Sequence, residues 1–229
     1  MITGQDTSKG LSRKMNQVIH QHLFQETIDL NSLELFNQIY NEEGERGYSQ
    51  SLLKFFESTV HPRLGSDPSI LDIGSGSKSI FEDTDLINKK KVTAIDFSPA
   101  AIFKATLLPN DITYKQVDLG TSGVLDSERY DLIFDSHCLH CITESLQRRA
   151  AFTNIHEALK ADGLFSAEMM VSPAGKTIKL PNKHVVDAKA LEEELLSFGF
   201  KIIYFLIVRD LVFGSDNGDC DLVRVICRK

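Results

Sequence analysis

The chain contains no tryptophan, and 4 cysteines and 6 prolines are few for 229 residues. Too few cysteines are present to staple a disulfide scaffold, so the fold must rest on a buried apolar core, with the thiols kept reduced. Positive charge is in deficit as well: 25 lysines and arginines face 32 aspartates and glutamates, a net charge of −7. That balance opposes non-specific binding to a phosphate backbone. Long apolar runs are missing too. The longest mostly apolar run, Phe200 to Val208, contains Lys201 and has about half the length of a membrane-spanning helix. The opening MITGQDTSKG lacks the apolar centre of a signal peptide, which leads us to expect a cytoplasmic protein.

What is present is the raw material of one large α/β domain, with 42% hydrophobic residues. Met15, Val18, Ile19 and Leu23 recur at helical spacing, as do Leu35, Phe36, Ile39 and Tyr40 after Ser32. A third helix is expected over Ser49 to Val60. From Ser69 the pattern changes to short apolar runs alternating with amphipathic segments, which implies βαβ units and a parallel sheet. Strands are expected at SILDI, KVTAID, ITYKQV, YDLIFD and GLFSAEM. Ser98 followed by Pro99 predicts a helix start. Thr143 is expected to cap a helix that carries Phe152, Ile155 and Leu159 inward and stops before Gly163. Asp187 opens a last helix, closed by Gly199. Two final strands, Phe200 to Val208 and Asp221 to Cys227, are joined by a link short enough for an antiparallel pair.

The most informative stretch is ILDIGSGSKSI, Ile70 to Ile80. A buried strand runs into Gly74 and Gly76 and then, on this pattern, into a helix. Such a turn lets a ligand approach bare backbone N–H groups at the strand's carboxyl end. The dinucleotide fingerprint G-x-G-x-x-G needs glycine at position 79, where Ser79 stands, so a nicotinamide-dependent oxidoreductase is disfavoured.

The stretch resembles motif I, D-x-G-x-G-x-G, of the class I S-adenosylmethionine-dependent methyltransferases, and the resemblance continues in order from Ser69 to Met170. Asp72, Gly74, Ser75 and Gly76 fall on motif I, with Lys78 in place of its third glycine. Asp96, ending AID and followed by Phe97, takes the place of the family's ribose-binding acid. Asp118 and Leu119 in VDLG match the adenine position, and Asp135 and Ser136 close the fourth strand in the motif IV region. The resemblance implies a Rossmann-like, doubly wound, seven-stranded mixed sheet with the last strand antiparallel. It also implies S-adenosyl-L-methionine as cofactor. On this reading residues 1–60 form an N-terminal helical lid, with Arg46 and Tyr48 candidates for closing it, and residues 61–229 the methyltransferase domain. Lys78 either lets its stem pack while its ammonium reaches water, or meets an anionic group.

The stretch FDSHCLHCI sets two histidines and two cysteines, the residue types that ligate zinc, within five positions. Four neighbours on one backbone point in different directions and do not converge tetrahedrally, so no metal is expected. Leu139-His140 matches a pair found in many family members. His137 and His140 are the candidate catalytic residues, able to take a proton from the acceptor or orient it, with helix-start packing as the plainer alternative. Lys176, Lys179 and Lys183 follow the fifth strand without an intervening acid, and a basic cover of this kind favours an anionic acceptor. The short appendages point to a small-molecule acceptor rather than a nucleic acid or membrane. A protein methyltransferase, or a non-catalytic binding module that keeps the fold, are the alternatives.

Overall fold

The computed structural model describes residues 32–42, 49–107, 109–127, 129–173, 176, 178, 182–208 and 220–229. The helix expected around Met15 to Leu23, the lid residues Arg46 and Tyr48, and Lys179 lie outside them. In chain order the elements are α1 (Ser32–Glu42), α2 (Gln50–Phe55), β1 (Ile70–Ile73), β2 (Val92–Asp96), α3 (Pro99–Ala105), β3 (Thr113–Gln116), β4 (Tyr130–Ser136), α4 (Ser145–Ala158), β5 (Leu159–Val171), α5 (Ala188–Ser197), β6 (Lys201–Val208) and β7 (Asp221–Arg228).

Every residue of β1 is buried, as a central strand covered on both faces requires. The strands form one seven-stranded sheet in the order β3-β2-β1-β4-β5-β7-β6. Strands β1 to β5 pair in parallel, while β7 runs antiparallel to both β5 and β6. The mixed sheet with its antiparallel last strand is therefore as expected. Its order reverses between β1 and β4, and at such a switch point the crevice beyond the strands' carboxyl ends receives ligands.

Strand alternation sorts the core into two layers. Leu71, Ile73, Ile95, Ile133 and Phe165 pack with Phe152 and Ile155 of α4 and Leu191 and Leu195 of α5. On the other face Ile70, Val92, Ala94, Leu132 and Phe134 pack with Leu52, Phe55, Phe56 and Val60. The segment expected as one helix over Ser49 to Val60 is α2 followed by a wider π turn, Phe56–Val60. Its apolar side is part of the sheet's own core. Phe56, Phe81 and Phe134 meet edge to face, with ring centroids 4.9–5.9 Å apart.

Three expectations need correction. No α-helix follows the glycine turn; the crossover from β1 to β2 holds only short 3-10 turns at Ile80–Asp83 and Lys89–Lys91. The cause is local: Ser79, Thr84 and Asn88 turn their side-chain oxygens onto the backbone N–H groups of Phe81, Leu86 and Lys90, competing with a helical ladder. The helix after β4 begins at Ser145, with Glu144 rather than Thr143 at the cap position and no side-chain cap bond. It ends at Ala158, and Gly163 lies inside β5. A Cβ there would stand 2.9 Å from the Lys160 carbonyl oxygen and 3.1 Å from that of Tyr130, where the β4–β5 register shifts. Gly163 thus serves close backbone approach, not helix termination.

Candidate active site

Gly74 and Gly76 both take positive φ, 65° and 63°, conformations that glycine adopts without penalty. Space is short as well. A Cβ on Gly74 would lie 2.4 Å from Cys138 Cβ, and one on Gly76 would lie 2.6 Å from Tyr40 Oη. The turn is pinned from below: Ser75 N donates to Ile95 O at 3.0 Å and Gly76 N to Asp96 Oδ2 at 3.0 Å. Ser79 Oγ donates to Asp72 Oδ2 at 2.6 Å, and Ser79 N to Tyr114 Oη at 2.8 Å. Lys78, in the third-glycine position, pairs with Asp83 at 3.0 Å. It also lines the cavity described below.

Three carboxylates lie buried at the ends of β1, β2 and β4. Burial pushes Asp72 up to about 7, aided by the charges of Asp135 and Asp96 and opposed by the Ser79 hydroxyl. Asp135 is likewise pushed up to about 7 by burial, against the stabilising N–H of Cys138. Burial also raises Asp96, opposed by the N–H groups of Ser98, Gly76 and Phe97. Asp72 Oδ1 has no hydrogen-bond partner among the described residues. Asp118, by contrast, is exposed, with Oδ1 accepting from Gly120 N at 2.9 Å.

Beyond β4 the chain bends sharply at His137, whose φ of 69° is unusual for a non-glycine residue. Asp135 holds the bend, Oδ1 accepting from Cys138 N at 2.7 Å. Arg148 holds its far side by donating to the Leu139 carbonyl oxygen, while forming a paired bond to Glu194 at 2.6 and 2.7 Å. His137 Nε2 meets Glu168 Oε1 at 2.8 Å, and the His137 and His140 rings stand edge to face at 5.4 Å. Burial, then the charges of His137, Lys183 and Arg148, hold His140 well below the ordinary histidine range, so it is neutral. Its Nδ1 has no hydrogen-bond partner among the described residues. Burial and the nearby Asp135 raise the Cys138 thiol well above its usual range, which disfavours the thiolate.

These parts surround one cavity of about 1000 Å³. Its lining includes the glycine turn, Asp72, Asp96, Phe97, Asp118 and Leu119, together with Ser136, His137, His140, Met170 and Lys183. Helix α1 lies over it through Leu33, Phe36 and Tyr40. The helix is tied down by the Phe36–Phe97 ring contact at 5.3 Å and by Ser98 Oγ bonding Asn37 Oδ1 at 2.6 Å. All residues expected at the site line this cavity except Asp135, which lies beneath it and shapes the bend. Among the described residues no three His, Cys, Asp or Glu side chains are placed to hold a metal, and none of the helices is long and apolar enough to cross a membrane.

Two functional candidates escaped the sequence reading. Glu168, 1% exposed, binds His137 and Arg224 together, the latter at 2.6 Å. Burial would raise its carboxyl, but His137 and Arg224 more than offset this and hold it below the ordinary range, so it is ionised. The available signal was a single charge within each of two otherwise apolar strands, AEMMV and VRVIC.

Residues 71–165 match the family model described as a methyltransferase domain. No curated protein is significantly similar in sequence. Among solved structures, the cyclase SpnF superposes with a TM-score of 0.64 at 18% identity, covering 82% of this chain and 84% of its own. An S-adenosylmethionine-dependent methyltransferase from Methanosarcina mazei gives 0.59 at 19%, covering 74% and 96%. The 1,6-didemethyltoxoflavin-N1-methyltransferase of Burkholderia thailandensis, with bound 1,6-didemethyltoxoflavin and S-adenosylhomocysteine, gives 0.60 at 16%, covering 100% and 93%. At such identities the likeness is one of fold; the matched domain spans the glycine turn, Asp96 and the bend after β4. The chain thus carries a stretch, residues 71–165, that matches a methyltransferase domain, on a fold similar to that of these S-adenosylmethionine-dependent methyltransferases.

Proposed function

We propose that the chain transfers a methyl group to a small-molecule acceptor held in the cavity beneath α1. The observation that carries this reading is the continuity of that cavity, from the bare glycine turn and Asp96 to His137 and Lys183. The residues present fit the cofactor: the two glycines leave room that any side chain would fill, and the volume lies at the upper end of the usual range of about 300–1000 Å³ for such sites. S-adenosylmethionine supplies a methyl group already activated by the sulfonium charge.

In this reading Gly74, Ser75 and Gly76 offer backbone to the cofactor. Asp96 accepts from the ribose hydroxyls through the lone pairs that its oxygens keep beyond their backbone N–H bonds. Phe97, Asp118 and Leu119 flank the adenine, and Ser136 lines the path to the acceptor. Asp72 and Asp135 act from below by fixing the two turns. The lid is α1, because the segment from Gln50 to Val60 is packed as core. The chain's share is to hold the acceptor in line and keep water out.

Lys183 in the cavity lining supports an acceptor that carries negative charge. The concave shape of the site, and the small molecule bound to the similar Burkholderia thailandensis structure, support a small molecule over a protein. The test is transfer of labelled methyl from S-adenosylmethionine into the small-molecule and protein fractions of a cell extract, offered separately. Label entering only the small-molecule fraction, and there enriched in anionic compounds, is the expected result. Label entering only protein would overturn the acceptor assignment.

A further inference from the structure

The cross-strand register sets Glu168 of β5 directly opposite Arg224 of β7, and Ser136 opposite Glu168 on the other side. Glu168 thereby reaches both ways. Oε2 receives Arg224 Nε at 2.6 Å and Oε1 receives His137 Nε2 at 2.8 Å. Arg224 is itself fixed: a second nitrogen donates to Ser51 Oγ at 2.7 Å, and its guanidinium lies over the Phe55 ring at 5.3 Å. His137, the outer member, is 32% exposed at its side chain and lines the cavity. It sits at positive φ, a conformation of the kind that persists only where surrounding bonds impose it and that clusters at functional sites.

We propose that Arg224, Glu168 and His137 form a relay that holds His137 as its Nε2–H tautomer and leaves Nδ1 as the base for a protic acceptor, an N–H or O–H nucleophile. This rests on the methyl-transfer reading. Arg224 can only donate, so it fixes Glu168 as an acceptor on both sides. A carboxylate facing Nε2 demands a hydrogen there, and the neutral ring then carries its lone pair on Nδ1. His140 cannot play this part among the described residues, having no carboxylate partner and a buried Nδ1. In the chemical step the acceptor's proton passes to Nδ1 and its freed electron pair bonds the methyl carbon. The carbon–sulfur pair stays with sulfur, leaving a neutral thioether and a protonated His137. Glu168 is not among the residues that line this cavity and is a positioning residue; His137, which lines it, is the catalytic one.

The relay makes an unusual demand of Glu168→Gln. Because Arg224 needs an acceptor, the amide oxygen must face it, and the amide NH2 must face His137. The tautomer should therefore reverse, placing hydrogen on Nδ1 and disabling the base. Histidine-selective nitrogen-15 NMR over a pH series, which separates the two neutral tautomers from the imidazolium, reads this directly. Wild-type protein should show Nε2–H at His137, and Glu168→Gln should show Nδ1–H. Adding Arg224→Met to that variant removes the demand and should return Nε2–H in part. With a protic acceptor found by the labelling screen, Glu168→Gln should lower kcat about 10²-fold or more, with S-adenosylmethionine affinity unchanged. Nδ1–H in wild-type protein, or an unmoved tautomer in Glu168→Gln, would overturn the relay, and the first needs no variant to fold. Failure of wild-type protein to bind S-adenosylmethionine would instead overturn the methyl-transfer reading itself.

Discussion

Asp96 Oδ2 accepts a 3.0 Å hydrogen bond from the backbone N–H of Gly76, twenty residues earlier in the chain, while Oδ1 accepts from Ser98 N at 2.9 Å. The acid at the end of β2 thus clamps the glycine turn and opens α3 at once. Asp96→Ala should cost S-adenosylmethionine affinity about 1.5–3 kcal/mol, the scale of a hydrogen bond to a charged group, and should also lower stability because two buried N–H groups lose their acceptor. Calorimetry and denaturant unfolding separate the two losses. Unchanged affinity with lowered stability would reduce Asp96 to a clamp.

Gly74→Ala should destabilise the fold more than Gly76→Ala. At Gly74 the added carbon meets Cys138 Cβ at 2.4 Å and its backbone Cα at 3.3 Å, while at Gly76 it meets the tip of Tyr40. Both carry the cost of positive φ, about 1–2 kcal/mol. Unfolding midpoints would show Gly76→Ala losing chiefly cofactor affinity, with Tyr40→Phe relieving part of that loss. Equal destabilisation by the two substitutions would contradict the packing described.

Stability should depend on pH through Asp72 and Asp135. Their folded pKa values, about 7, lie above the ordinary 3.8, so the folded state holds protons that the unfolded chain releases. Their contribution is full below about pH 4, falls as pH rises towards 7, and is constant beyond. Asp72→Asn should flatten this decline. A wild-type stability that rises steadily between those limits, with no effect of Asp72→Asn, would mean that both carboxylates ionise normally.

Asn37→Ala should loosen the lid without touching the sheet. Asn37 Oδ1 is the acceptor for Ser98 Oγ at 2.6 Å, which links α1 to the start of α3. Faster dissociation of the cofactor with unchanged unfolding of the core is expected in stopped-flow and denaturation experiments. Unaltered dissociation would place the closing contact elsewhere, for instance at Phe36 and Phe97.

The parts of the site that were legible in the sequence are those written locally. Gly74 and Gly76 follow an apolar strand, Asp96 ends the next and Asp118 lies just past the third, so the strand pattern together with the family resemblance brought them to one edge. Glu168 and Arg224 were illegible because only the register of β5 against β7 makes them neighbours, 56 residues apart. The missing helix after the glycine turn misled for a different reason. Ile80 and Phe81 satisfy an apolar pattern, but Ser79, Thr84 and Asn88 bind the backbone locally and stop a helix from growing. The place of that helix over the sheet is filled from the other direction, by Leu52, Phe56 and Val60.

The most direct test of the account is titration of the purified protein with S-adenosylmethionine and, separately, with a nicotinamide dinucleotide, repeated on Asp96→Ala. One S-adenosylmethionine should bind per chain, about tenfold or more weaker in the variant, and the dinucleotide should give no binding heat. Absence of S-adenosylmethionine binding to the wild-type chain would contradict the assignment of this cavity.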